Sequence, residues 1–188
     1  MSYNLYTEDV SVVADVIQQC MDRKESSAFF AESDKKYAFV PISWNKNQEW
    51  LFLQNGVTPY TMFYDTAEGH GVIIADPNDL SFLVMRPYDE TKSICDDFES
   101  LLSSYIKSKF PNSEFVGNDI LIDGKKAIGT ASGILNGMTL FMFAASFVDN
   151  SELINLLCPP GHIKVPQPID TSILTKEEFK NEIISWLQ

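Results

Sequence analysis

Gly117-Asn118-Asp119-Ile120-Leu121-Ile122-Asp123-Gly124-Lys125-Lys126-Ala127-Ile128-Gly129-Thr130-Ala131 is the stretch on which the reading of this chain turns. Asp123-Gly124 lies between two apolar, β-branched runs, the signature of a two-residue primed turn. The spacing predicts strands over Asp119 to Ile122 and over Lys125 to Ala131. A polar pair, Asn118 and Asp119, opens the first strand. Two lysines open the second, and a glycine stands three positions past Lys126. Successive strand residues face opposite sides, so Lys125 and Lys126 diverge. A lysine leaving a hairpin toward a glycine-lined cleft can hold a carboxylate, an acyl carbonyl or a phosphate as a compact point charge. An exposed hairpin with two solvated lysines has the same spacing, and the residues alone leave both readings open.

Outward from the hairpin, apolar periodicity predicts the other elements. Ile94, Phe98, Leu101, Leu102, Tyr105 and Ile106 recur at helical spacing within Thr91 to Lys109, and Pro111 stops that helix. Val10, Val13, Ile17, Cys20 and Met21 mark an N-terminal helix over Thr7 to Arg23, with Thr7 as its expected cap. Ser151 to Leu157 reads as a short helix. Lys176 to Leu187 reads as an amphipathic one capped at Thr175. Ala38 to Ser43, Glu49 to Leu53 and Thr58 to Tyr64 read as strands. Val72 to Ala75 and Leu80 to Met85, around Asp76-Pro77-Asn78-Asp79, look hairpin-like. Leu135 to Phe147 is one long strand or two. Helices flanking mostly antiparallel strands, with no linker or repeat, predict one α+β domain over residues 1–188.

Composition limits what this domain does. The 188 residues are 45% hydrophobic and 12% aromatic, enough for a sizeable single core. Lys and Arg number 14 against 26 Asp and Glu, a net charge of −12 that repels nucleic acid and anionic membranes. No apolar run reaches the roughly 20 residues that span a bilayer, and the acidic start MSYNLYTEDV is not a signal peptide. Cys20, Cys95 and Cys158 are odd in number and widely spaced, which predicts reduced thiols in the cytoplasm rather than disulfides or a zinc site. His162 has no second histidine nearby, so no metal site is expected. Asp96, Asp97 and Glu99 fall on the polar side of a helix and read as solvated.

The hairpin stretch resembles the Asn-Asp to Gly-Lys-Lys motif of the lipoate–protein and biotin–protein ligases. The likeness extends upstream to Gly69-His70-Gly71-Val72-Ile73-Ile74-Ala75-Asp76-Pro77-Asn78-Asp79-Leu80, similar to the glycine-rich segment of the lipoate ligases. Downstream, Gly137-Met138-Thr139-Leu140-Phe141 resembles their His-Gly-Thr-Leu-Leu strand, and Leu153 to Pro160 their short helix ending in Pro-Pro. The resemblance implies an α+β sheet with helices packed on one face. It also implies ATP-dependent adenylation of lipoate, octanoate or a related acid, with Mg2+, then acyl transfer to a lysine of a lipoyl-type carrier protein. On this likeness Lys126 is the lysine that holds the acyl carbonyl and activated phosphate. Asn118 and Asp119 lie by the nucleotide, and Gly69, His70, Gly71, Gly129 and Thr130 by the acyl substrate.

The chain also departs from the pattern. Asp65-Thr66-Ala67-Glu68 stands where lipoate ligases carry an arginine pair, and two acids beside an adenylate phosphate oppose its binding. That departure points to a non-catalytic binding or regulatory relative. A third reading pairs Lys126 with Cys158, as octanoyltransferases of this superfamily pair a lysine with an acyl-carrying cysteine, and it requires a lowered thiol pKa.

Overall fold

The computed structural model describes residues 3–40, 49–61, 73–90, 93–158 and 164–188. Its centre is a seven-stranded sheet in the order β1-β2-β6-β10-β9-β8-β7. These strands are β1 (Asn4–Asp9), β2 (Ser27–Glu32), β6 (Leu80–Pro87), β7 (Ser113–Val116), β8 (Asp119–Ile122), β9 (Lys125–Leu135) and β10 (Met138–Ala145). Within this sheet, among the described residues, only the β1–β2 pair is parallel. A smaller sheet has the order β4-β3-β5, from β3 (Tyr37–Val40), β4 (Thr58–Thr61) and β5 (Ile73–Ala75).

Strand alternation splits the large sheet into two buried faces. Phe82, Val84, Phe141 and Phe143 turn one way, against Phe98, Leu102 and Ile106 of α3 (Ile94–Lys109) and Phe179 and Ile183 of α5 (Lys176–Trp186). The rings follow one another, Phe82 tilted against Phe143 at 5.4 Å and Phe143 stacked on Phe179 at 5.5 Å. Each such ring contributes roughly 1.5–3 kcal/mol by leaving water. Leu83, Met85, Met138 and Leu140 turn the other way, against Val13, Ile17, Cys20 and Met21 of α1 (Val10–Asp22). Helices therefore cover both faces, not the one face implied by the resemblance. The small sheet joins α1 on this second side, where Tyr37 and Ser81 hydroxyls lie 2.9 Å apart. It carries its own core, with Phe52 of α2 (Glu49–Gln54) and Ile154 and Leu157 of α4 (Ser151–Leu157).

Several expectations are corrected. α1 begins at Val10, because the Asp9 carboxylate caps it by accepting from Ser11 N at 2.8 Å; Thr7 belongs to β1, paired with Phe30. Glu49 to Leu53 is helix rather than strand. Gly56, at φ +71°, closes it: Val57 N–H reaches back to Phe52 O and Gly56 N–H to Leu53 O, and Phe52 and Val57 share one core cluster. β5 and β6 are not a hairpin, since β5 pairs with β3 and β6 with β2 and β10. The Asp79 carboxylate is the cause. It accepts from the backbone N–H of Asp76, Phe147 and Val148 and from the Asn150 amide, which ties the start of β6 to the end of β10.

Two primed turns shape the sheet around Lys126. Asp123 and Gly124 have φ of 51° and 75° between β8 and β9, and Asn136 and Gly137 have 50° and 71° between β9 and β10. The second turn divides Leu135 to Phe147, so β9 runs on to Leu135 and β10 follows.

Candidate functional site

β8 and β9 pair Ile122 with Lys125 and Leu121 with Lys126, then slip: Ile120 pairs with Ile128 and Asp119 with Gly129. Ala127 and Ile128 together face the single Ile120, which is a β-bulge. Both of these residues stay in the core beneath α3 and α5. Were the same residues paired one to one from Lys126 onward, Ile128 would stand opposite Asp119. The bulge puts a glycine there instead, and the space is used. A Cβ on Gly129 would lie 3.1 Å from Lys126 Nζ and 3.2 Å from its Cε.

The Lys126 ammonium donates to Asp119 Oδ1 at 2.8 Å, and the Lys164 ammonium to Asp119 Oδ2 at 2.9 Å. Exposure differs sharply along this triad: side chains are 12% exposed at Asp119, 22% at Lys126 and 67% at Lys164. Burial acts to raise the Asp119 pKa, but hydrogen bonds and charge from Lys126 and then Lys164 outweigh it and hold the carboxyl below its ordinary value. One carboxylate thus flanks two ammonium groups, leaving a net positive site on an acidic chain. The bulge carbonyls are also taken, Lys126 O by Gln167 N–H at 2.6 Å and Ala127 O by Ser146 N–H at 3.2 Å. The segment that carries Lys164 is therefore fastened to the strand that carries Lys126.

Of the residues singled out from sequence, the fold brings Lys126, Asp119 and Gly129 together. Asn118 is exposed in the β7–β8 turn, whose Gly117 has φ +61°, and its carbonyl accepts from Thr130 N–H at 2.7 Å and Thr130 Oγ1 at 3.2 Å. Thr130 pairs with Phe143, on the opposite face from Gly129, and braces this turn. Lys125 is exposed. Gly69, His70 and Gly71, with the acids Asp65 and Glu68, lie outside the described residues. Lys164 was not singled out: it meets Asp119 across 45 residues of sequence, and no local pattern marks it.

Cys158 does not fit a nucleophile. It is buried among Ala38, Val40, Phe52 and Leu157, and burial pushes its thiol up to about 11, opposite to activation. Cys20, Cys95 and Cys158 are all free thiols. Among the described residues no group of three His, Cys, Asp or Glu could hold a metal ion, and both Asp119 oxygens are occupied by lysines.

No protein-family model matches this chain, and no curated protein sequence does. Solved structures do. A lipoate–protein ligase A crystallised with ATP superposes with a TM-score of 0.74 at 16% identity, over 99% of this chain and 84% of that one. The chain has the fold of the lipoate–protein and biotin–protein ligases. A bipartite lipoate ligase from Thermoplasma acidophilum, solved in a study of that ligase and its E2 lipoyl domain, gives 0.70 at 17% identity over 99% and 82%. A biotin–protein ligase from Leishmania major with biotin gives 0.57 at 11% over 99% and 72%. These two lipoate ligases superpose better than this biotin ligase.

Proposed function

We propose that this chain, residues 1–188 acting as one unit, is a lipoate–protein ligase-like enzyme. It binds lipoate, octanoate or a related acid and activates it as the acyl-adenylate. The acyl group then passes to a lysine of a lipoyl-type carrier. The observation that carries the proposal is the Lys126 ammonium, held 2.8 Å from Asp119 over Gly129 on a lipoate-ligase fold. The acid's carboxylate oxygen attacks the α-phosphorus of ATP and pyrophosphate leaves; the carrier amine then attacks the acyl carbon and AMP leaves. Lys126 donates to the acyl carbonyl and the phosphate oxygens as negative charge builds there. Mg2+ arrives with the nucleotide as part of the substrate, keeping most of its waters. A similar fold crystallised with ATP, and another studied with its lipoyl domain, fit this nucleotide and this partner. No helix among the described residues is long and apolar enough to cross a membrane, and ATP chemistry beside three reduced cysteines suits the cytoplasm.

Asp65 and Glu68, where lipoate ligases carry arginines, favour a second reading as a non-catalytic acid-binding module. Purified protein with MgATP and lipoate, octanoate or biotin, followed by mass spectrometry, separates the two. An acyl-adenylate supports the ligase. A thermal shift with the acid but no adenylate supports the binding module, and neither signal with any acid ends both.

A further inference from the structure

We infer that Lys164 is a second anion-binding residue of this site and that it captures the diphosphate portion of the ligand rather than the acyl portion. The inference rests on the proposed adenylate chemistry for its biological ligand, but its physical basis is the triad itself. Each ammonium has three N–H donors and, among the described residues, spends one on Asp119, which leaves donors on both lysines for an incoming anion. Asp119 cancels one positive charge, not two. The two lysines flank opposite oxygens of one carboxylate, which spaces two cations for an anion with several oxygens, such as a diphosphate.

The division of labour follows from exposure. Lys126 is largely covered and pressed against Gly129, so its ammonium is fixed in place. Lys164 is 67% exposed, and an exposed ion pair is weak enough to exchange one anion for another. Its backbone does not wander, because Gln167 N–H holds Lys126 O at 2.6 Å and Ile169 N–H holds Ser146 O at 2.8 Å. An anchored segment with an exposed, weakly paired ammonium three residues ahead of the anchor is a short arm over the site. It also supplies positive charge to a chain that has acids at Asp65 and Glu68.

The test uses inorganic pyrophosphate as probe, titrated calorimetrically into the full chain and into Lys164→Ala, Lys164→Arg and Lys125→Ala at fixed salt, with octanoate titrated in parallel. The expected result is about tenfold weaker pyrophosphate binding for Lys164→Ala, partial rescue by Lys164→Arg, parent-like binding for Lys125→Ala, and unchanged octanoate affinity for all three. Parent-like pyrophosphate binding by Lys164→Ala, no pyrophosphate binding by the parent, or equal loss of octanoate and pyrophosphate would each overturn the inference. Pyrophosphate binding that depends on Lys164 in a protein that forms no adenylate would instead retire the ligase proposal and leave this assignment standing.

Discussion

Replacing Asp119 by Asn preserves shape and removes the charge that the two lysines share. The Lys126 pair is only partly exposed, and a hydrogen bond to a charged group at such a site contributes about 1.5–3 kcal/mol. The Lys164 pair involves a side chain 67% exposed and contributes under about 1 kcal/mol. An asparagine oxygen still accepts one hydrogen bond and recovers part of this. The expected net loss for Asp119→Asn is about 1–2 kcal/mol at pH 7, or a Tm drop of about 2–8 °C for a chain of this length. The pH dependence fixes the cause. Asp119 has a depressed folded pKa, so its contribution is fully present above the unfolded carboxyl value and is lost as pH falls through the folded one. Urea unfolding of parent and variant should therefore differ by a constant amount from pH 7 to pH 5 and converge only below about pH 4. Equal stability at pH 7 would refute the reasoning. A difference that decays between pH 7 and pH 5 would assign the effect to another group.

Lys126→Ala should weaken acid or adenylate binding about ten- to a hundredfold by calorimetry, while Lys125→Ala binds like the parent. Lys126→Arg should not restore binding, because the planar guanidinium has no room over Gly129, where even a Cβ would lie 3.1 Å from the present Nζ. Gly129→Val displaces the Lys126 tip without backbone strain, so it should lose ligand affinity as Lys126→Ala does and, with the Asp119 pair disturbed, lose about 1–2 kcal/mol of unfolding free energy in urea; an unchanged affinity would refute the role given to that gap. Cys158, with its thiol near 11, should resist iodoacetamide at pH 8 in the folded protein and react after denaturation, as followed by peptide mass spectrometry. Thr175→Ala removes a complete capping box and should cost about 1 kcal/mol on the same urea scale.

What the sequence made legible was local. Asp123-Gly124 announced its hairpin, and with it the side of the strand that Lys126 takes. The capping box at Thr175 and the heptad-like apolar spacing of α3 were equally plain. Asn136-Gly137 carries the same turn chemistry as Asp123-Gly124, but it lies in an apolar run that masked it. β2, Ser-Ala-Phe-Phe-Ala-Glu, is buried on both sides over most of its length and so shows no alternation. α2 is six residues long, too short for periodicity to separate helix from strand, and only Gly56 after it signals the ending. Asp119 and Lys126 could be paired from the hairpin between them. Lys164 could not, because its partnership exists only once a distant segment has been tied to the Lys126 carbonyl.

The extra residue in β9 has a consequence for how this chain can change over time. Removing Ala127 would leave the identity of every residue in the Asp119–Lys126–Lys164 triad untouched. It would also return β8 and β9 to one-to-one pairing, with Ile128 opposite Ile120 and Gly129 still opposite Asp119, where it leaves room for the lysine tip. Closing the bulge with every residue kept would instead draw Ile128 into that place. Register rather than length is thus the information in this strand, and two relatives sharing the same lysine and aspartate are comparable at this site when a glycine stands opposite the aspartate, whatever the count between them.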